Sequence, residues 1–295
     1  MKIGFIGLGN MGSGMANNIL EKIDDKSNLF VYTRTPEKIA KMADKGAVGC
    51  SSLEEITTSV DILLTCLPNV ETSRELFMNS GGICDYANSN QILVDHSTVD
   101  VKTSQDCFEF ASKKGINFLD APISGGPGGA ADGTLTIMVG GNLDSFKIAE
   151  NAFSMMGKKI SHMGPSGAGT AMKLVNQLLV STNTVAAAEA FVLAEQAGVN
   201  LESAIDILNT SWGKSMMIER NGPITVEKEF ENSPAPLRNL VKDLGIIKEL
   251  TDQLGLELPV TKASSSVVDT TMSLGLNEPD IAATALSIKK LSNID

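Results

Sequence analysis

The first dozen residues constrain this chain more than any other segment. Ile3-Gly4-Phe5-Ile6-Gly7-Leu8-Gly9-Asn10-Met11-Gly12 places G-x-G-x-x-G directly after a short apolar run and at the head of a helical pattern. In such a turn Gly7 permits the tight bend, Gly9 lets a diphosphate approach the backbone, and Gly12 allows close helix–strand packing. The helix start then offers N–H groups and the positive end of its dipole to an anion. Residues Gly7, Leu8, Gly9, Asn10, Met11 and Gly12 are therefore expected to hold a dinucleotide. No G-K-[ST] follows, so a nucleoside-triphosphate loop is excluded. The segment does not read as a targeting peptide either, because glycines break its apolar run at once.

From there apolar runs alternate with helical patterns. Strands are expected at 2–6, 28–32, 61–66, 91–95, 116–120, 135–139 and 159–162, with helices at 11–22, 36–45, 71–78, 101–114 and 143–156. That alternation predicts an α/β domain, a Rossmann-type, doubly wound parallel sheet over residues 1–163. After Gly164 the pattern turns helical throughout. Residues 166–197, rich in Ala, Leu and Val, would make a helix about 48 Å long, too long to serve one small domain. An all-α domain over 164–295 follows, with further helices at 201–209, 259–274 and 278–291. Leu237, Leu240, Val241, Leu244 and Ile247 carry the spacing of an amphipathic helix. Asn232-Ser233-Pro234-Ala235-Pro236 is the clearest loop of this half.

Composition removes several partners. With 24 Lys+Arg against 35 Asp+Glu the net charge is −11, which disfavours nucleic acid and anionic membranes. No unbroken apolar run approaches the length of a membrane span, and Glu189 interrupts the most apolar stretch. Four dispersed cysteines and two histidines predict no metal site and a reducing, cytoplasmic setting.

The end of the second expected strand discriminates between dinucleotides. An NAD site usually carries an acidic residue there for the ribose hydroxyls. This chain reads Tyr32-Thr33-Arg34-Thr35-Pro36, with Lys38 following. Arg34, flanked by Thr33 and Thr35, suits a 2′-phosphate through charge-assisted hydrogen bonds. NADP is thus expected to be preferred, with NAD as the weaker cofactor.

Three further segments complete the pattern: Asp120-Ala-Pro-Ile-Ser-Gly-Gly126, Gly164-Pro-Ser-Gly-Ala-Gly-Thr-Ala-Met-Lys173-Leu-Val-Asn176-Gln177, and Lys242-Asp243-Leu-Gly245. Together with the opening glycine loop they resemble, in order and spacing, the β-hydroxyacid dehydrogenase family over essentially the whole chain. That group includes 3-hydroxyisobutyrate dehydrogenases and semialdehyde reductases. The resemblance implies a catalytic role for Lys173, whose place at the start of the long helix would favour a lowered ammonium pKa. It also implies that Ser124, Gly125 and Gly126 bind the substrate carboxylate, through a hydroxyl and backbone N–H groups. Asn176 and Gln177 share a helical face with Lys173 and are expected to orient the lysine and the substrate. The family usually has Asn where Gln177 stands, so the longer side chain alters that contact.

Cofactor contacts carried over by the resemblance are Leu67 and Pro68 at one strand end, Thr72 beyond it, Ser97 and Thr98 at another, and Lys242 from the helical half. His96 is read as structural, and Trp212 as lining the pocket or packing. The implied activity is hydride transfer between NADP and a small 3-hydroxy acid or its semialdehyde, in a homodimer or homotetramer. The alternatives are a non-catalytic cofactor-binding module, a 6-phosphogluconate-type dehydrogenase and an imine reductase. Lys173 weighs against the first and last. Val175, where the second usually carries histidine, weighs against that one.

Overall fold

The computed structural model describes residues 1–294 and divides into two compact units, Met1–Lys173 and Leu174–Asp295. The division falls inside the long helix, whose first turns belong to the first unit.

The first unit is built on one nine-stranded sheet. In chain order its elements are β1 (Ile3–Ile6), α1 (Asn10–Lys22), β2 (Leu29–Tyr32), α2 (Pro36–Ala43), β3 (Val48–Gly49), α3 (Leu53–Thr58), β4 (Ile62–Thr65), α4 (Val70–Met78), α5 (Ile83–Tyr86), β5 (Ile92–Asp95), α6 (Val101–Lys113), β6 (Asn117–Asp120), β7 (Ile123–Ser124), α7 (Gly126–Asp132), β8 (Leu135–Gly141), α8 (Leu143–Met156) and β9 (Gly157–Gly164). β1, β4 and β5 are buried at every position, which explains why they read as continuous apolar runs: helices cover both faces. Successive residues serve opposite layers. Phe5, Leu64 and Val94 pack with Met15 and Ile19 of α1 and Phe153 of α8. Ile6, Leu63 and Leu93 pack with Phe77 of α4 and Cys107 of α6.

Strand order is β3-β2-β1-β4-β5-β6-β8-β7, with β9 beside β8. From β3 to β6 every pairing is parallel. The expected doubly wound parallel sheet is found from β3 to β6; beyond it β8 runs antiparallel to both β6 and β7. The connection supplies the reason. Only residues 125–134 join β7 to β8, shorter than a parallel crossover needs, so the chain folds back. The glycine-rich stretch from Gly126 forms α7 within that connection and ends on Gly133 at φ 65°.

The second unit is helical: the remainder of α9 (Ala168–Gln196), α10 (Leu201–Leu208), α11 (Met216–Glu227), α12 (Leu237–Leu254), α13 (Pro259–Met272) and α14 (Thr284–Leu291). α9 is its centre. Val185 packs with Leu237, Leu240 and Leu244 of α12 and Val268 of α13, while Ala187 and Phe191 pack with Ile205 of α10 and Ile218 of α11. The expected helix over 278–291 is broken: Asp280 caps a short 3₁₀ turn at Ile281–Ala283 before α14 begins. By length and composition α9 would suffice to cross a membrane, contrary to the expectation drawn from unbroken runs. Val185, Ala187 and Phe191 are buried in the clusters just described, while Val175, Leu179 and Leu193 stay exposed.

Candidate active site

The order β3-β2-β1-β4 reverses direction between β1 and β4, and ligands of doubly wound sheets bind beyond the carboxyl ends of the strands at such a point. Five expected segments leave the sheet along that edge. Gly7–Gly12 follows β1, Thr33–Thr35 follows β2, Leu67–Pro68 follows β4, Ser97–Thr98 follows β5, and Ser124–Gly126 ends β7. Ladder bonds continue past the strand ends and hold these loops in register. Gly7 N–H donates to Tyr32 O at 3.0 Å, Cys66 N–H to Ile6 O at 3.0 Å, and His96 N–H to Thr65 O at 2.8 Å.

The glycine loop fits a diphosphate. Gly7 sits at φ +100°, where a side chain is strained, and a Cβ there would lie 2.3 Å from Cys66 O. A Cβ on Gly12 would stand 1.9 Å from Gly7 O, so α1 could not close on β1 with any other residue. A Cβ on Gly9 would meet nothing within 4 Å, which leaves the open approach an anion requires. No side chain caps the start of α1, so its first N–H groups keep the character of an anion site. Leu8 contributes backbone alone: its side chain is buried, and its carbonyl accepts Lys38 Nζ at 2.9 Å and Ser13 Oγ at 2.9 Å. The Lys38 contact was not anticipated, and it adds a cation beside the loop. Arg34 and Thr35 are exposed and Thr33 half-buried, with no carboxylate among them.

Between β4 and β5 the expected residues are bonded to one another. Leu67 N–H donates to Ser97 Oγ at 2.8 Å, and Ser97 Oγ donates to Asp95 Oδ1 at 2.5 Å. The same carboxylate oxygen accepts Thr65 Oγ1 at 2.9 Å and Ser97 N–H at 2.9 Å. Burial pushes the Asp95 carboxyl up from its usual range, against the lowering pull of these bonds. Asp95 therefore organises the loop, and the Ser97 hydroxyl proton is used within the protein. Its signal was legible as a carboxylate at a strand end next to two hydroxyl residues. Thr72 lies in the first turn of α4, its N–H held by the Asn69 cap at 2.8 Å. His96 is buried as expected. Its Nδ1 meets Ala121 O at 2.6 Å, and burial lowers its pKa to about 4, so the ring is neutral with the proton assigned to Nδ1.

Ser124 is half-buried at the end of β7, and Gly125 and Gly126 follow at φ +137° and +64°. Only glycine adopts the first of these readily. Lys173 is the sixth residue of α9 and only 7% exposed. Asn176 and Gln177 lie one turn on along the same helix. Within the second unit Gln177 Nε2 donates to Asp243 Oδ2 at 2.5 Å, and Asn176 Nδ2 donates to Gln177 Oε1 at 3.1 Å. Asp243 is buried and lies 3.2 Å from Lys242 Nζ. The longer amide at 177 is thus engaged by α12 through Asp243, a contact that the sequence analysis did not anticipate. Trp212 is fully exposed, which removes the packing alternative for it. Among the described residues, no group of three or more His, Cys, Asp or Glu is placed to hold a metal ion.

Comparison with known proteins matches both halves. The family described as the NAD binding domain of 6-phosphogluconate dehydrogenase covers residues 2–164. The one described as NAD-binding of NADP-dependent 3-hydroxyisobutyrate dehydrogenase covers residues 167–287. The 2-(hydroxymethyl)glutarate dehydrogenase of Eubacterium barkeri is 33% identical over 96% of this chain and 93% of its own. Glyoxylate/succinic semialdehyde reductase 1 of Arabidopsis thaliana is 29% identical over 98% and 99%. The solved structure of Mycobacterium tuberculosis 3-hydroxyisobutyrate dehydrogenase with L-serine aligns with a TM-score of 0.86 at 27% identity, covering 98% of this chain and 99% of that one. Sheet order, glycine loop and helical half are thereby accounted for together: the chain belongs to the β-hydroxyacid dehydrogenase family and is a nicotinamide-dependent hydroxyacid dehydrogenase of that fold.

Proposed function

We propose that the enzyme interconverts a small 3-hydroxy acid and its semialdehyde with NADP as preferred cofactor and Lys173 as general acid/base. The observation that carries this reading is the burial of Lys173, 7% exposed near the start of α9. A surface lysine is a solvated charge, whereas a lysine withdrawn from water is held in place to act as a proton donor or acceptor for a bound ligand. A bound nicotinamide supplies or accepts the hydride. Lys173 Nζ gives its proton to the carbonyl oxygen in reduction and takes it from the hydroxyl in oxidation. The Ser124 hydroxyl and the Gly125 and Gly126 N–H groups hold the carboxylate. The Asn176 amide is assigned to orient the lysine and the reacting oxygen; it is bonded to Gln177, which Asp243 holds in turn.

The named relatives support the substrate class, since they act on hydroxy acids or semialdehydes by name. Arg34, with no carboxylate beside it, supports NADP through the 2′-phosphate. Residues Gly7–Gly12, Leu67, Pro68, Thr72 and Thr98 complete the proposed cofactor contacts. Exposed Val175, Leu179 and Leu193 on α9 support assembly into a homodimer or tetramer, which light scattering tests. Burial raises the Cys50 and Cys84 thiols to about 11. Such inert thiols support a reducing compartment such as the cytoplasm.

The test is a matrix of NADPH and NADH against methylmalonate, tartronate, malonate and succinate semialdehydes and glyoxylate, run on the wild type and on Lys173→Ala. Turnover of a carboxylated aldehyde is expected in the wild type and absent in the variant, with NADPH binding retained. Inactivity toward every carboxylated aldehyde, or near-normal turnover by Lys173→Ala, overturns the reading.

A further inference from the structure

We propose that Asp120 is a positioning residue that seats the start of α9 on the sheet and so sets the place from which Lys173 acts. The inference rests on the role assigned above to Lys173. Asp120 ends β6 and is 1% exposed. Its Oδ1 accepts the Gly167 N–H at 2.7 Å and its Oδ2 accepts the Thr170 N–H at 2.8 Å. Both carboxylate oxygens are thus spent on the backbone at the beginning of one helix. An ordinary N-cap comes from the residue just before its helix; this one comes from a strand far earlier in the chain. Thr170 stands three residues before Lys173, on the same helical face. Its hydroxyl is tied at 2.7 Å to Ser104 Oγ of α6. The lysine-bearing turn is therefore bonded to two elements of the first unit.

The seat is built mainly from backbone around the Asp120 carboxylate, which the Ser166 hydroxyl also approaches at 3.5 Å. Gly140 of β8 is the register partner of Asp120, and a Cβ there would lie 2.6 and 2.7 Å from the two carboxylate oxygens. A Cβ on Gly169 would lie 2.3 Å from Met138 O and 2.8 Å from both Asp120 O and Gly140 N. Backbone of the helix start thus rests on backbone of β6 and β8, with one carboxylate as the connection. The same short segment continues into Ser124, Gly125 and Gly126. One piece of chain then fixes both ends of the reaction geometry: the proton donor through Asp120, and the carboxylate of the substrate through the loop.

The isosteric variant Asp120→Asn keeps one acceptor oxygen and turns an NH₂ group against the N–H of Gly167 or Thr170. Misplacing a reacting group by about an ångström can cost about a hundredfold in rate. The variant is therefore expected to lose roughly ten- to a hundredfold in kcat. Its NADPH Kd should stay within about twofold, and its kcat pH profile should move by about half a unit or more. In a Lys173→Ala background the same change should remove nothing further, because the two residues act as a unit. Gly140→Ala, which presses a methyl onto the carboxylate from β8, should reproduce the signature and decides the matter if Asp120→Asn does not fold. A folded variant with lowered thermal stability but unchanged kcat and pH profile overturns the proposal, as does an additive loss in the double variant. Activity surviving in Lys173→Ala alone would instead overturn the role of the lysine.

Discussion

The two units hold their functional residues by different means. In the first, backbone meets backbone, with one buried carboxylate as a tie at the ends of β5 and β6. The glycine loop closes on Cys66 O, and the start of α9 rests on β8 through Gly140 and Gly169. Asp95 and Asp120 accept the N–H groups of the segments above them. In the second, the corresponding work falls to charged side chains. Asp243 of α12 ties Gln177 of α9 to that helix and pairs with its neighbour Lys242. Asp280 receives the Arg220 guanidinium, the Ser233 hydroxyl and the Ala282 N–H, which pin the loop around residues 230–236. A backbone seat admits one residue type and fails abruptly. A side-chain network is tunable, costs desolvation to bury, and fails in measured steps.

That contrast can be broken at either side. The largest effect is expected from Gly12→Val, whose branched side chain collides with Gly7 O; dinucleotide binding followed by fluorescence quenching should disappear. Retained binding would show that α1 can shift away from β1. In the second unit, Arg220→Ala leaves a carboxylate that is 3% exposed without its cation. Burial, which alone would raise Asp280, is now outweighed by Arg220, the Ala282 N–H and Ser233, so its carboxyl lies below the usual range. Removing the cation should cost about 3 kcal/mol in urea unfolding at neutral pH, while NADPH affinity stays nearly unchanged. A comparable loss of affinity would erase the distinction between the units.

A third effect comes from His96, held neutral by burial with a pKa of about 4 against an ordinary 6.5. Between those values the unfolded chain binds the proton and the folded chain does not. Stability from this group is complete above the ordinary value and falls as pH drops toward the folded one. Urea titrations from pH 7 to pH 5 should show about 2 kcal/mol of loss that is missing in His96→Asn. Asp95 and Asp120, raised by burial, act in the opposite sense, so the difference between the two proteins is the informative quantity. The smallest effect is expected from Arg34→Ala. It should lower kcat/KM for NADPH about tenfold, the scale of one charge-assisted hydrogen bond, and move the NADH value little.

Legibility followed the same divide. All strands but the two-residue β3 and β7, the turn at Gly7–Gly12 and the loops after β2, β4 and β5 could be read because each follows from local chemistry: an apolar run, a glycine and a strand end. The antiparallel β8 could not, since direction depends on connection length, and α7 hides in glycines that usually mark turns. α11 carries Gly222 and Pro223 in its middle, residues that argue against a helix until packing overrides them. Lys173 was legible as a motif, yet its burial was not. Asp243 and the Gln177 contact depend on which face of α12 meets α9, and no spacing rule states that. Asp120 stood in a quoted motif, but only tertiary structure shows that it serves a helix begun at Ala168.

The seat of α9 also sets a rule for redesign. Residues 120–126 and 167–173 form a jig: the Asp120 carboxylate and the glycine contacts fix the lysine-bearing turn against the segment that carries the proposed carboxylate loop. A library aimed at new hydroxy acids should leave those segments untouched and vary exposed side chains elsewhere. An insertion or deletion inside the jig would shift both reference points at once, and selection would recover only inactive chains. If the proposed roles hold, substrate range and catalytic competence can be altered in separate stretches of one polypeptide.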